Sequence, residues 1–410
     1  MKKSTKGSPF TRYQIAVVSL LALTQFSVVL DFMVMSPLGD ILMKSMKMTP
    51  SQFGIVVSSY ALSAGFSGFL TASFADKFDR KKLLLFFYTG FIIGTLLCGI
   101  SDSYEFLVFS RIITGIFGGV ISSISLAIVA DVFDFNQRGR VMGFIQMGFG
   151  ISQILGIPIS LFLANQWDWQ APFYLIVGLS MAIFGAVYFI LKPVTAHLSL
   201  QRANPLRHMW NTIKNKQYRI GFIATAFMSL GGYLMMPWGS AFAVNNVGIS
   251  ADELPLMFMI VGLITFAAMP LIGFISDRIN KFTIFTGASV LMVFSVLIYS
   301  QLQQTSLFIL IVVNGFMMMG IMARMIPSQA LTASLPEMQD RGAFMSINSS
   351  LQQMAGGIAA MVGGMIVLQK SETSPLERFD LLGYLVIVII LINIFLTHRV
   401  YKYIKSREHL

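Results

Sequence analysis

Charged residues and cysteine are both scarce in this chain of 410 residues. Only 11% of its residues are charged and 55% are hydrophobic, whereas soluble domains carry about 25% charged residues. A soluble fold would lack polar residues for its surface, so a lipid bilayer is the better solvent. The lone Cys98 lies in an apolar stretch, which excludes a disulfide framework and leaves the redox compartment undetermined.

Histidine is also rare, and the residue clusters of an enzyme or an ATP-driven pump are missing. The four histidines lie in polar connecting segments or at their edges, with no metal-ligand or nucleophile–base constellation inside the apolar spans. No Gly-x-x-x-x-Gly-Lys-Ser/Thr phosphate loop occurs. We therefore predict no catalytic residue, no metal site and no cofactor.

Basic residues outnumber acidic ones, giving a formal net charge of +11 and a pI of about 9.7. No basic run belongs to a soluble module, so nucleic acid is not an expected partner. Membrane topology and anionic lipid headgroups explain the charge better. The predicted partners are the bilayer, protons and a small-molecule substrate, and the chain is expected to act as a monomer.

Twelve apolar stretches of about 18 residues or more predict transmembrane helices. Their runs are continuous rather than alternating, which favours helices over strands, and an open sheet cannot survive in lipid. We predict an all-α membrane protein with spans near 13–38, 51–75, 83–101, 105–131, 140–164, 171–192, 218–243, 251–275, 282–302, 305–331, 343–369 and 380–400.

The distribution of Lys and Arg predicts the orientation. With the N-terminus inside, inner segments hold 23 of the 29 basic residues, outer segments hold 4, and Arg111 and Arg324 lie within spans. Such an excess predicts that both termini are cytoplasmic, in a membrane we expect to be a bacterial inner membrane. The polar segment 193–217 then reads as a cytoplasmic linker between two six-helix bundles, 1–192 and 218–410.

A repeat supports this division into halves. The charged segment 76–82 recurs as 273–281, with Asp76 and Asp277 separated by 201 residues, and Gln137-Arg138-Gly139 recurs as 340–342. Parallel repeats of this kind occur in major facilitator-type transporters.

The chain resembles the major facilitator superfamily over nearly its whole length. The family's inner-loop motif, Gly-x-x-x-Asp-(Arg/Lys)-x-Gly-(Arg/Lys)-(Arg/Lys), is matched by segment 273–281, where Asn280 replaces the second glycine, and by segment 72–81, where Ala72 and Asp79 replace both. We expect Asp79 and Asn280 to make the tight turn in place of glycine, because both residue types tolerate left-handed conformations.

Two further motifs indicate a branch of the superfamily. Arg111-Ile112-Ile113-Thr114-Gly115 looks like the family's Arg-x-x-x-Gly motif in the fourth span. Gly156-Ile157-Pro158 in the fifth span departs from the Gly-Pro of drug/proton antiporters and looks more like sugar-efflux or arabinose-efflux-like exporters.

Asp31 and Arg111 are candidates for proton coupling. Ionisable groups within spans are costly and face the bundle interior or water. Both residues lie roughly 8 Å below the outer boundary at 1.5 Å rise per residue, so an ion pair between the first and fourth spans is expected. The pair either fixes helix packing or acts as a switch in which Asp31 is protonated in one access state and bound to Arg111 in the other.

Arg324 has no acidic residue near it within the second-half spans. Its guanidinium either binds a substrate carboxylate or phosphate, or satisfies carbonyls at a helix end. Asn314 stands 203 residues after Arg111, so the second half lacks the equivalent charge and the proposed proton chemistry is confined to the first.

The resemblance implies a cytoplasmic gate built from the repeated charged segments. Asp76 is expected at the start of the eleventh helix near Gly342, where free N–H groups favour an anion, and Asp277 near Gly139. Arg80 is expected to pair with Asp131. Alternatively these charges only set topology. The predicted gate residues are Asp76, Arg80, Asp131, Asp277, Arg278 and Arg341.

A central cavity is expected to accept a neutral or amphipathic solute. Its candidate lining combines aromatic residues around Pro237 with uncharged polar residues at membrane depth, although interhelical hydrogen bonding explains any single one of these. The set is Gln146, Gln153, Tyr233, Trp238, Arg324, Asn348 and Gln352.

The sequence thus predicts a secondary transporter, expected to export its cargo in exchange for protons by alternating access. Uptake by proton symport on the same scaffold is the alternative, and a receptor without transport is a more remote one. Cargo identity, direction and stoichiometry stay open.

Overall fold

The computed structural model describes residues 10–71, 74–195, 198 and 205–408, except for the side chains at positions 76, 135, 136, 205, 206, 277 and 408. Helix dominates, and the described residues contain no strand beyond an isolated bridge between Leu368 and Glu377. The twelve long helices are α1 Arg12–Val34, α2 Pro50–Thr71, α3 Arg80–Gly99, α4 Tyr104–Val132, α5 Gln137–Gln166, α6 Ala171–Ile190, α7 Lys216–Val247, α8 Leu254–Arg278, α9 Lys281–Ser300, α10 Leu307–Ala333, α11 Arg341–Ile366 and α12 Phe379–Glu408.

Among the described residues, eleven helices are long and apolar enough to cross a membrane. The remaining one of the twelve, α11, is long enough but more polar, since it carries Asn348, Gln352 and Gln353. Those amides do not prevent burial in a bundle, because α11 packs against α2 and α7. The twelve-helix prediction is confirmed, with span boundaries that shift by a few residues.

Several of the helices contain a proline in their interior. In two of them, α5 and α7, the regular helix is interrupted next to that proline. In α5, a wide π-turn at Ser152–Gly156 precedes Pro158. Proline has no N–H and its ring clashes with the carbonyl four residues earlier, so a π-turn relieves the distortion. In α7, the regular helix ends at Tyr233 and a short 3₁₀ turn, Met236–Trp238, contains Pro237.

The repeated charged segments are built differently from our expectation. Asp79 and Asn280 have φ angles of −56° and −54°, so neither is left-handed. Each is instead a helix N-cap, whose side-chain oxygen accepts a hydrogen bond from Lys81 N or Phe282 N, both at 2.9 Å. Both residues still stand where the chain turns into the helix, but without a left-handed conformation, because a capping oxygen starts the helix there, which glycine cannot do.

Two helix pairs make most of the contacts between the first six helices and the last six in the described part of the chain. One pair is α2 with α11, where Gly54 and Gly364 lie so close that a Cβ built at Gly54 would be 3.3 Å from the Gly364 Cα. The other pair is α5 with α8, where a Cβ at Gly262 would be 3.1 Å from the Gln153 carbonyl oxygen. Small residues permit such close approach of transmembrane helices, because no side chain separates the backbones.

The polar segment between the halves contains a helix of its own, Pro205–Lys214. Its Met209 is buried with Phe344 at the start of α11, and His208 Nε2 lies 3.6 Å from Asp340 Oδ1. The predicted linker 193–217 is therefore partly folded onto the second half. The division into three segments stays a prediction.

Candidate functional site

A cavity of about 210 Å³ lies between the two groups of six helices. Its walls come from α1 and α5 on one side and mainly from α7, α8, α9 and α10 on the other. The lining is mostly apolar, and methionine is its commonest residue. Ligand sites usually have this character, with a few polar groups that fix orientation.

Four of the seven predicted cavity residues line this space, namely Gln153, Tyr233, Arg324 and Gln352. Tyr233 is the last residue of the regular part of α7, and it lines the cavity together with Gly231 and Gly232, which precede it. Gln153 sits in the π-turn of α5, where the backbone is widened next to the cavity. The pattern of polar residues at membrane depth therefore predicted part of the cavity lining correctly.

Trp238 lies outside the cavity wall, contrary to our expectation. Its side chain is fully buried and packs into the crossing of α7 with α2 and α11. A Cβ built at Gly363 would be 2.6 Å from its ring, and one at Gly54 would be 3.4 Å away. The 3₁₀ turn rotates Trp238 away from the cavity, into a slot that glycines leave open.

Gln146 and Asn348 also lie outside the cavity lining. We call the side of the chain termini the inner side and the opposite side the outer side. Gln146 precedes Gln153 by seven residues and Asn348 precedes Gln352 by four, so each shares a helix face with a lining residue but lies nearer the inner side. Gln146 is exposed, and the Oδ1 atom of Asn348 is buried without a partner among the described residues.

Asp31 and Arg111 form the ion pair that their depth predicts. Arg111 Nη1 donates to Asp31 Oδ2 at 2.8 Å, and Thr95 Oγ1 donates to Asp31 Oδ1 at 3.2 Å. The side chains are 0% and 1% exposed for Asp31 and Arg111. Three helices, α1, α3 and α4, thus meet at one carboxylate. Its role in proton coupling stays a prediction.

The ion pair does not line the cavity but is separated from it by one layer of aromatic rings. The guanidinium of Arg111 lies 4.6 Å from the ring centroid of Tyr60. Tyr60 contacts Phe32 at 5.3 Å between centroids, and Phe32 contacts Tyr233 at 5.9 Å. Phe32 and Tyr233 line the cavity, so a cargo that moves these rings would also move the surroundings of the pair.

Of the predicted inner gate, the structure brings one pair together. Arg80 Nε lies 3.3 Å from Asp131 Oδ2, and Arg80 Nη1 donates to the Ala75 carbonyl at 3.1 Å. The side chains of Asp76 and Asp277 lie outside the described ones, so their expected contacts stay predictions. Arg278 and Arg341 are exposed, and Arg278 lies over the ring of Phe274 at 3.9 Å.

The two halves separate on the inner side between α5 and α8. Gly150 and Phe266 are in contact, yet a Cβ built at Gly143 or Gly273, on the same helix faces, would meet no atom within 4 Å in the described part of the chain. The helices α5 and α8 are therefore in contact near the cavity and apart at these two glycines.

Comparison with known proteins places this arrangement in a family. A family model described as the Major Facilitator Superfamily matches residues 21–361 and 221–406. The chain belongs to this superfamily. It is a multi-pass membrane transporter, and the resemblance carried by the inner-loop motifs is confirmed.

Relatives of this transporter are similar over much or most of its length. The Bacillus subtilis protein named uncharacterized MFS-type transporter YbcL is 23% identical over 379 residues, 92% of this chain and 95% of its own. A probable sugar efflux transporter of Helicobacter pylori is 24% identical over 244 residues, 59% of this chain and 61% of its own. The crystal structure of a D-xylose-proton symporter superimposes with a TM-score of 0.76 at 16% identity, covering 93% of this chain and 97% of that one.

A contact on the outer side of the transporter was not predicted from the sequence. Asp40, in the short helix Gly39–Ser45 after α1, is 3% exposed and accepts a hydrogen bond from Asn245 Nδ2 at 2.6 Å. Ser240 Oγ accepts from Asp40 N at 3.3 Å and donates to the Ser36 carbonyl at 2.9 Å. We name Ser36, Asp40, Ser240 and Asn245 the outer latch, because it joins the end of α1 to the end of α7.

The repeat offers the signal that could have found the outer latch. Ser240 and Asn245 follow Ser36 and Asp40 by about half the chain, at separations of 204 and 205 residues. Parallel repeats are related by an axis along the membrane normal, so segments close to that axis and about half the chain apart come near each other. The sequence did not mark Asp40 as a candidate, because it lies beyond the apolar span, where an acidic residue is ordinary.

We predict that Asn245→Ala shifts the transporter toward a state open on the outer side. The substitution removes a charge-assisted hydrogen bond between the halves, worth about 1.5–3 kcal/mol, so the outer-open population should rise roughly tenfold or more. Labelling from the outer side of a cysteine introduced by Phe258→Cys in the cavity, in a Cys98→Ala background, measures this population. Asn246→Ala, which loses bonds only to Leu376 in the second half, is the matched control, and equal labelling of the two variants would contradict the prediction.

Proposed function

We propose that this chain exports a small amphipathic solute from the cytoplasm in exchange for protons, by alternating access of the central cavity. The observation that carries the proposal is the Asp31–Arg111 pair, fully buried and one aromatic layer from the cavity. A carboxylate of this kind gains a proton most readily when its cationic partner moves away. Movement of the cavity wall and proton binding can therefore be linked.

The outer latch and the inner separation of α5 from α8 suit one end of such a cycle. With the latch formed, cargo enters from the inner side and packs against Phe32 and Tyr233. Rocking of the halves then breaks the latch and opens the cavity outward, where Asp31 takes a proton and releases Arg111. Return to the inner-open state delivers the proton inside, as Arg111 pairs again with Asp31.

The named relatives support a transport function of this kind without fixing its direction. One relative is a probable sugar efflux transporter and one solved neighbour is a proton symporter. We place the protein as a monomer in a bacterial cytoplasmic membrane. Both termini then lie inside, because inner segments carry 23 of the 29 basic residues.

The proposal predicts that Asp31→Asn abolishes proton-driven transport but keeps solute-for-solute exchange. Asparagine fills the same space and keeps one oxygen that can accept a hydrogen bond from Arg111 or Thr95, but it cannot take up a proton. Coupling free energies between two sites typically correspond to about 5- to 150-fold changes, so gradient-driven flux should fall by at least that lower factor.

Gradient-driven flux is measured in vesicles that contain the purified protein. The vesicles are loaded with candidate solutes and given a pH gradient of either sign. Asp252→Asn, at an exposed acidic residue on the outer side, is the control and should transport as the unmodified protein does. Unchanged pH dependence in Asp31→Asn would remove the proton role. Accumulation driven by the opposite gradient would make the protein an uptake symporter instead.

A further inference from the structure

Arg324 is the one cavity-lining residue of the described chain with a full positive charge. It lies in α10, is 2% exposed, and is held from two neighbouring helices. Its Nε donates to Ser289 Oγ at 3.0 Å, and its Nη2 donates to Asn393 Oδ1 at 3.3 Å. The guanidinium also lies 5.4 Å from the ring centroid of Phe285. All of these partners are neutral.

The amide of Asn393 is oriented for this contact by a third helix. Its Nδ2 donates to the Ala224 carbonyl in α7 at 2.7 Å. The donor side of the amide is thus occupied and its oxygen faces Arg324. Helices α7, α9, α10 and α12 together fix the guanidinium in one place.

Among the side chains that the structure describes, no carboxylate pairs with this cation. The sequence has no Asp or Glu between residues 281 and 336, none in α11, and none between residues 381 and 407. Asp31, the acid buried in the opposite half, is already bound to Arg111. A buried charge without a counter-charge is costly in a membrane protein, and such charges usually mark functional sites. The contrast with Arg111 shows that the fold can supply a carboxylate partner.

One nitrogen of Arg324 stays available. Among the described residues, Nη1 has no hydrogen-bond partner, whereas Nε and Nη2 are both engaged. Arg324 contributes to the cavity wall together with Met292, Met322 and Met325. A cargo can therefore meet a cationic N–H donor and a flexible apolar surface at the same time.

We propose that the cargo is an amphipathic organic anion, whose carboxylate binds Nη1 of Arg324 and whose apolar body lies against the methionines. Arginine suits carboxylates because its planar fork offers several donors. Methionine side chains adapt to bodies of different shape. This inference rests on the proposed transport function only in taking the bound ligand to be the transported solute, since the binding itself requires no proton gradient.

Thermal stabilisation of the purified full chain in detergent tests the proposal, because a bound ligand stabilises the folded state. The probes are two matched series, octanoate with octanamide and octylamine, and naphthylacetate with its amide and its amine analogue. A charged hydrogen bond in place of a neutral one should make each carboxylate bind about tenfold more tightly than its amide. The amines should bind more weakly still.

Three variants separate recognition from folding. In Arg324→Gln the preference for carboxylate over amide should vanish, in Arg324→Lys it should persist with weaker binding, and in Ser289→Ala it should persist. The ratio of carboxylate affinity to amide affinity is measured within each variant, so a loss of stability affects both ligands equally and cancels. A carboxylate preference that is missing from the unmodified protein in both series, or that survives in Arg324→Gln, overturns the proposal.

A failure of the anion-site proposal can be distinguished from a failure of the proposed transport function. Carboxylate-selective binding without proton-driven flux would refute the exporter and keep the anion site. Proton-driven flux of the amides, unaffected by Arg324→Gln, would keep the exporter and refute the anion site.

Discussion

Arg111→Ala is expected to produce the largest loss of stability of any single substitution at the site. It leaves the Asp31 carboxylate, which is 0% exposed, with Thr95 as its only remaining hydrogen-bond partner among the described residues. Breaking a buried ion pair by removing one partner costs about 3–5 kcal/mol. It also removes the cation that lies over Tyr60, so the aromatic layer next to the cavity loses a contact.

The double variant Asp31→Asn with Arg111→Gln is expected to be more stable than Arg111→Ala, because it buries two neutral amides instead of one unpaired charge. Both should lack proton-driven transport. Thermal unfolding in detergent and flux in vesicles measure the two effects, with Arg219→Ala, an exposed arginine, as the control. If Arg111→Ala unfolds at the same temperature as the control, the buried pair does not stabilise this fold.

The second large effect is expected at the crossing of α4 with α2. A Cβ built at Gly115 would lie 2.1 Å from Ser63 Oγ and 2.4 Å from the Tyr60 carbonyl oxygen, so even a methyl group forces the helices apart. Gly115→Leu adds a much larger side chain. Overpacking of a close-packed interior costs about 1–3 kcal/mol and occasionally more, and here a rigid backbone carbonyl cannot yield.

The control for Gly115→Leu is Gly178→Leu in α6, an exposed position where a Cβ would meet no described atom within 4 Å. Both substitutions add the same apolar group to a transmembrane helix. We expect a reduced folded fraction in size-exclusion chromatography and a lower unfolding temperature for Gly115→Leu alone. Similar behaviour of the two variants would show that the helices can separate at this crossing without loss.

Several features of the site could be read from the sequence because they depend on position along a helix. The pairing of Asp31 with Arg111 followed from equal depth in two spans, and the pairing of Arg80 with Asp131 followed from a family resemblance. The superfamily itself followed from a repeated motif. For Asp31 and Arg111, the helix rise converts separation in sequence into depth, whereas the other two rest on recognising a motif.

Other features could not be read, because they depend on how a helix is turned about its axis. Both Tyr233 and Trp238, on either side of Pro237, were expected to line the cavity, but only Tyr233 does, whereas Trp238 enters a slot between glycines of α2 and α11. The outer latch was missed because it joins residues about 200 positions apart in segments without periodicity.

The sequence by itself determined a bundle of twelve helices, the depth of each buried charge, and the repeat that relates the two halves. Apolar length and residue spacing are local quantities, so no knowledge of the packing was needed for them. Only the tertiary structure decided that Arg324 is held by the neutral side chains of Ser289 and Asn393 beside an open cavity, and that Asp40 meets Asn245 across the two halves. Which neighbours a side chain meets depends on helices distant in sequence, and the close approach of those helices is fixed by packing.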